Sequence, residues 1–231
     1  MSKTLKGNRR KDFIKGQLNE ISEDKTILFL EKDTKDTVVI DIHLKNSEYA
    51  VYSEEYLPIE LDVTGHKKAD ITVLLLDEER KHIKYYIADV KSNLTGPERI
   101  CSLCEQWNAG LRYVRNHILS NFSEEFIEEE HIAVYTRSFD KPRIQRMIED
   151  LNEEIEIMAK NVNKGNMAAI KLRPLKEMKL KQQMVILKDF LEKQFTYSDK
   201  FIKEEKHKFE VGELLYEDIT QHYQYTLIVS F

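Results

Sequence analysis

The run "ADITVLLLDEERKHIKYYIADVK", residues 69–91, carries two apolar segments around a polar turn. "ITVLLL" (71–76) and "IKYYIADV" (83–90) are rich in β-branched, aliphatic and aromatic residues, and "DEERKH" separates them. The pattern predicts an antiparallel hairpin. Its edges are unusual. The first strand opens at Asp70, and the second closes at Asp89 and Lys91. If the turn centres between Glu79 and Arg80, Asp70 stands opposite Asp89, with Cβ atoms roughly 5 Å apart. Lys91 lies two residues past Asp89 and shares its face. The three groups then converge at one open end of the sheet, although a one-residue slip would move Asp70 off that face.

Two neighbouring carboxylates repel unless something offsets them. A divalent cation does so naturally. Mg²⁺ takes oxygen ligands, keeps several waters, and can orient a phosphate and activate a water. A nearby lysine can contact a phosphate or position the water. The register therefore permits phosphodiester hydrolysis. The same residues also read as polar strand ends with a surface lysine. Acid-x-Lys is a cheap pattern here, starting at Glu23, Asp33, Glu79, Asp89, Glu177 and Glu204. Among these, only the one at Asp89 closes a strongly apolar strand opposite another acid.

Outward from the hairpin, "TILFLEKD" (26–33) and "TVVIDIHLK" (37–45) read as strands. "NSEYAVYSEEYL" (46–57) reads as a short helix capped by Asn46 or Ser47 and ended by Pro58. A long helix is expected over 97–119, with Pro97 in its first turn. Beyond it a strand is expected at 131–138, then helices over 141–162 and 175–194, and a strand at 223–231. This order predicts an α/β fold with a mixed central β-sheet flanked by helices. The chain divides into three segments: 1–45, a basic segment with strands; 46–140, the core; and 141–231, helices and a strand packing on or extending that core. Neither GxGxxG nor GxxxxGK is present, which disfavours a Rossmann dehydrogenase and a P-loop enzyme.

The 231-residue chain has a formal net charge of −5, unlike a simple basic nucleic-acid coat protein. The charge is uneven. Residues 1–15 hold six Lys or Arg and one Asp, and 171–208 hold eleven Lys or Arg and six acids. Residues 48–62 hold five acids and no Lys or Arg, and Glu124, Glu125, Glu128, Glu129 and Glu130 form another acidic block. Basic ends around an acidic middle suit a metal site flanked by phosphate contacts. They also suit ordinary solvated faces. No run reaches the roughly 18 apolar residues of a membrane span, and the start lacks the apolar core of a secretion signal. A cytoplasmic setting without membrane contact is expected. Cys101 and Cys104 lie about one helical turn apart without a second pair, which favours packing over redox or metal work. The seven histidines are scattered, without a helical i,i+4 pair, so a zinc hydrolase is disfavoured. Ser–His–Asp chemistry lacks a nucleophile elbow.

The layout resembles the PD-(D/E)xK nuclease superfamily over roughly residues 45–140. Asp70 matches the first acid, with Ala69 in place of the motif's proline. "DVK", Asp89–Val90–Lys91, matches the acid-x-Lys element, and the helix at 97–119 and strand at 131–138 match the rest of the superfamily's core. The resemblance implies a restriction-endonuclease-like core. It implies that Asp70 and Asp89 hold Mg²⁺, with Mn²⁺ as a substitute, and that the Val90 carbonyl is a further ligand. Lys91 would assist the attacking water or the phosphate. An upstream glutamate commonly completes such a site. Glu48, Glu54 and Glu55 are candidates, with Glu55 preferred. Gln106, Trp107 and Arg112 on the long helix, and Arg99 at its start, are the expected nucleic-acid contacts, with Trp107 equally fitted to the core. Members of this kind often serve bacterial antiviral defence or restriction. The implied partners are DNA, a helicase or other ATPase subunit, and a second copy of the chain. Some members keep only the scaffold, so a non-catalytic DNA-binding or assembly subunit is the alternative.

Overall fold

The computed structural model describes residues 19–20, 25–32, 37–45, 49–52, 69–77, 80–91, 93–119, 126–160, 167–199, 202–217 and 222–230. These form a mixed α/β protein. Twelve strands are described: β1 (Asn19–Glu20), β2 (Lys25–Lys32), β3 (Thr37–Lys45), β4 (Tyr49–Tyr52), β5 (Ile71–Asp77), β6 (His82–Lys91), β7 (Ile127–Thr136), β8 (Gln194–Asp199), β9 (Ile202–Lys208), β10 (Glu210–Glu213), β11 (Leu215–Glu217) and β12 (His222–Ser230). The helices are α1 (Pro97–Tyr113), α2 (Lys141–Lys160) and α3 (Met167–Leu191), and a π-helical turn, Val114–Ile118, extends α1. Among the described residues, no helix is long and apolar enough to cross a membrane.

The chain divides into two compact units. The first comprises 1–92, 106–137 and 210–231, and the second comprises 93–105 and 138–209. The first unit contains a six-stranded sheet in the order β1-β4-β5-β6-β7-β10. Its β6, β7 and β10 run parallel, and β4, β5 and β6 alternate in direction. The second sheet of this unit has the order β11-β12-β3-β2 and places the C-terminal strand parallel to β3.

The hairpin forms in the expected register. β5 pairs with β6 from Ile71↔Ala88 to Asp77↔His82. The left-handed backbone needed in the tight turn falls on Lys81 (φ 50°), whose carbonyl accepts the Ile127 N–H at 2.8 Å. Ile83, Tyr85 and Ile87 alternate along β6 and are fully or almost fully buried. Gly110 of α1 lies against this row. A Cβ there would sit 3.1 Å from Ile87 Cγ2 and 3.6 Å from Ala69 Cβ, so a larger residue would make the Ile87 side chain give by a few tenths of an ångström. Trp107, Leu111 and Val114 are fully buried in the same unit, which resolves Trp107 as a core residue.

The short helix expected over 46–57 is not what forms at Tyr49–Tyr52. These residues make β4, antiparallel to β5 in the register Tyr49↔Leu76 to Tyr52↔Val73. The run "YAVY" has aromatic and β-branched side chains that suit a pleated surface, and pairing with β5 outweighs the capping signal of Asn46 and Ser47. The strand expected at 131–138 starts earlier, at Ile127, and ends at Thr136. The long helix ends as an α-helix at Tyr113 and continues as the π-turn.

In the second unit, α2 buries Ile144, Met147, Ile148 and Leu151 on one stripe, and α3 buries Leu180, Leu187 and Phe190. Lys176 of α3 pairs with Glu154 of α2 at 2.6 Å. Beyond α3, β8 and β9 form an antiparallel hairpin. Asp189 ties it to the helix, accepting from Thr196 Oγ1 at 3.0 Å and from Lys206 Nζ at 2.6 Å. Phe139, Phe190 and Phe209 pack as an aromatic cluster, with Phe190 and Phe209 centroids 4.7 Å apart.

Candidate functional site

Asp70 precedes β5 by one residue, and Lys91 is the last residue of β6. Asp89 continues the buried row Ile83, Tyr85, Ile87 and is itself 0% exposed. The hairpin register carries Asp70 to the position opposite Asp89, and Lys91 closes the group. Lys91 Nζ donates to Asp70 Oδ2 at 2.9 Å and to Asp89 Oδ1 at 3.1 Å. Asp70 Oδ2 also accepts the Val90 N–H at 2.9 Å. Asp89 Oδ2 is buried and has no hydrogen-bond partner among the described residues.

This arrangement is short of positive charge. Two carboxylates face one ammonium, and one carboxylate is removed from water, which is costly for an ion. Burial, and then the negative charge of Asp70, push the Asp89 carboxyl well above the usual carboxylate range; Lys91 offsets part of this. Burial by itself would depress the Lys91 ammonium, but Asp89 and Asp70 together outweigh it and raise its pKa. Lys91 is thus held as a cation between the two acids.

Asp70, Asp89, Val90 and Lys91 therefore come together as a cluster within the first unit. Val90 takes part through its N–H. Glu55, Glu48 and Glu54 lie outside the described residues. Gln106 and Arg112 belong to the α1 half that falls in this unit, and both are half-buried. Arg99 belongs to the second unit. It is exposed, and its Nη1 donates to Asn93 Oδ1 at 2.7 Å, beside Thr95 Oγ1, which donates to the same oxygen at 2.8 Å. Among the described residues, no three His, Cys, Asp or Glu side chains gather around one metal position.

Two neighbourhoods escape a reading of the hairpin alone. Thr136, fully buried, is the β7 partner of Lys91 in the parallel register. Further back, Glu129 receives Lys84 Nζ at 2.9 Å and lies 2.7 Å from His131 Nε2 and 3.3 Å from His82 Nε2. Hydrogen bonding from His131, and then from Lys84, holds the Glu129 carboxyl down at about 2. Tyr86 stacks on His131 with centroids 4.6 Å apart. Glu130 in turn accepts the Tyr85 hydroxyl at 2.8 Å. Much of the acidic block at 128–130 is thus cross-strand pairing. The run "EEEHI" has no apolar–polar alternation to mark it as a strand, and its partners become visible only with the parallel pairing of β6 and β7.

No protein-family model, curated protein or solved structure matches the chain.

Proposed function

We propose that the protein is a Mg²⁺-dependent nuclease that hydrolyses phosphodiester bonds in DNA, on a restriction-endonuclease-like core of the PD-(D/E)xK kind. The observation that carries this reading is the meeting of Asp70, Asp89 and Lys91 at one end of the hairpin, with Asp89 Oδ2 buried and unpartnered among the described residues. The donor set fits the ion. Both acids offer hard oxygen atoms, and Mg²⁺ is commonly held by one or two carboxylates, with waters and substrate phosphate completing its shell. Asp70 and Asp89 would hold it, with the Val90 carbonyl as a further ligand and Glu55 as the upstream glutamate that completes the catalytic set. When bound, the ion supplies Lewis acidity and a more acidic water. The chain's own part is positioning. The Val90 N–H fixes one oxygen of Asp70, and the β6 register fixes Asp89. With a cation held by the two acids, Lys91 would be the residue with the charge and reach to contact a phosphate oxygen or orient a water. Gln106, Arg112 and Arg99 are the proposed nucleic-acid contacts. A helicase-type partner and a second copy for double-strand cutting belong to the same proposal, as does a role in antiviral defence.

One observation favours the alternative, a non-catalytic DNA-binding or assembly subunit. Lys91 already bridges both acids, so the cluster has a structural role without any metal.

The deciding experiment is cleavage of supercoiled, linear and single-stranded DNA in Mg²⁺ or Mn²⁺ by the wild type, Asp70→Ala and Lys91→Ala, each checked for folding. The nuclease reading expects cleavage by the wild type alone, with loss of at least about a hundredfold in each variant. Variants that cut like an active wild type would remove the site. A folded wild type that cuts nothing would favour the scaffold.

A further inference from the structure

Helix α3 has two apolar faces, and the fold uses only one of them. Leu180, Gln183, Leu187 and Phe190 are buried. On the other side Leu175, Met178 and Val185 are 60%, 52% and 55% exposed. A surface helix ordinarily turns charged and polar residues outward. The exposed set has a definite spacing. Leu175, Met178, Gln182 and Val185 are separated by the 3-4-3 steps of heptad positions a, d, a and d. Leu180 and Leu187 then fall at f, diametrically behind the seam, where they are buried. Leu172, 63% exposed, falls at position e and joins the same strip, which follows the a/d steps of a helix–helix seam rather than the wedge of a helix lying in lipid. The strip also lacks the aromatic residues common in such wedges.

The flanks specify the partner's charge. Lys179 takes position e, and Lys181 and Lys188 take position g. Lys181 pairs with Glu177 of its own helix at 2.7 Å, and Lys179 pairs with Glu98 at 3.4 Å, with both side chains of the latter pair highly exposed. Exposed pairs of this kind contribute only about 0–1 kcal/mol, so an incoming acid can replace them. A second α3 in parallel would set lysine against lysine. Glu149, Glu153 and Glu156 of α2 line a groove with Met184 and Lys188 of α3, so Lys188 already faces acids of its own chain, and α2 offers only Ile157 as an exposed large apolar side chain. It has no seam of its own to match.

We propose that the outer face of α3 docks an acidic amphipathic helix of a partner protein, with apolar residues in its own seam and Glu or Asp beside them. Apolar packing along Leu175, Met178 and Val185 anchors the helix, and Lys179 and Lys181 select its charge. This docking is independent of the proposed nuclease activity.

The test uses the full chain and a labelled synthetic helix of three heptads, with Leu at a and d and Glu at e and g. A control peptide carries Lys at e and g. Fluorescence anisotropy should show saturable binding of the Glu peptide, at least about tenfold tighter than the control, and weakened at about 0.5 M salt. Leu175→Glu and Met178→Glu, both at exposed positions and checked by circular dichroism, should each weaken it at least about tenfold. The double variant Lys179→Glu/Lys181→Glu should shift preference toward the Lys peptide. Equal binding of both peptides, or no effect of Leu175→Glu, overturns the proposal. So does seam-dependent binding to phosphatidylserine vesicles without peptide binding, which would make the face a lipid contact. Self-association of the wild type that Leu175→Glu abolishes would identify the occupant as a second copy and overturn it equally.

Discussion

Asp89 is the residue on which the site turns. Its carboxylate ends an apolar row, has one oxygen against Lys91 and leaves the other without a partner among the described residues. Such a group is stabilised by its neighbours but costs more than an apolar or neutral isostere would. Asp89→Asn keeps the shape and removes the ionisable group, so it should unfold at the same temperature as the wild type or higher, while losing the proposed Mg²⁺ binding. Lys91→Met does the reverse. It removes the cation that faces both acids, so Asp89 must take up a proton or stay charged without a partner, and the loss should cost up to about 3 kcal/mol. Mg²⁺ should then recover more stability in Lys91→Met than it adds to the wild type, because binding to the folded state alone stabilises it and no ammonium competes for the acids. Thermal unfolding of all three proteins with and without Mg²⁺ reads out each part. An Asp89→Asn protein less stable than Lys91→Met would show that Asp89 is a structural anchor rather than a strained ligand.

At the scale of elements, the pairing of β6 with β7 carries its own polar fastening. Glu129 on β7 joins Lys84 and His82 on β6 and His131 on its own strand. Its carboxyl is held at about 2, below its ordinary 4.5, by His131 and then Lys84. A depressed acid stabilises the fold above its unfolded pKa and loses that contribution as pH falls toward the folded one. The wild type should therefore exceed Glu129→Gln in urea midpoint at neutral pH, and the gap should close between pH 4.5 and about 2. A gap independent of pH across that window would mean that the ionised carboxylate is not what joins the strands. Elements differ in how far the sequence alone reveals them. The β5–β6 hairpin is legible because both strands are strongly apolar and the turn between them fixes the register. β4 reads as a helix because Asn46 and Ser47 mimic a helix cap, whereas a partner strand decides the outcome. The β8–β9 hairpin escapes a sequence reading. Its strand β9, "IKEEKHK", is mostly charged and shows little apolar alternation; the hairpin is held by the buried Phe195 and Tyr197 of β8 and by Asp189 on α3.

Over the whole molecule, the feature hidden from the sequence is pairing between distant segments. The Asp70–Asp89–Lys91 group needs only a local turn, so residue numbers suffice to place it. The positions of β10 and β12 depend on contacts with β7 and β3, and nothing local to "EVGE" or "HYQYTLIVS" names those partners. Yet these C-terminal strands are integral to the first unit. β10 is the parallel neighbour of β7, on the side away from β6, and Leu214 N–H donates to the Thr136 carbonyl at 2.8 Å. β12 lies between β11 and β3, so its loss uncovers a long edge of β3. Deletion of residues 210–231 should therefore disrupt the unit that contains the candidate site, although Asp70, Asp89 and Lys91 all remain. The chain's single tryptophan, Trp107, is fully buried in that unit and reports on it. The truncated protein should show red-shifted, quencher-accessible tryptophan emission and poor solubility. Asp70→Ala should keep the blue-shifted emission of the wild type, separating loss of the site from loss of the unit. A soluble truncation with native emission would mean that the first sheet closes without its C-terminal strands, and that the unit's stability resides in β4–β7 and α1 alone.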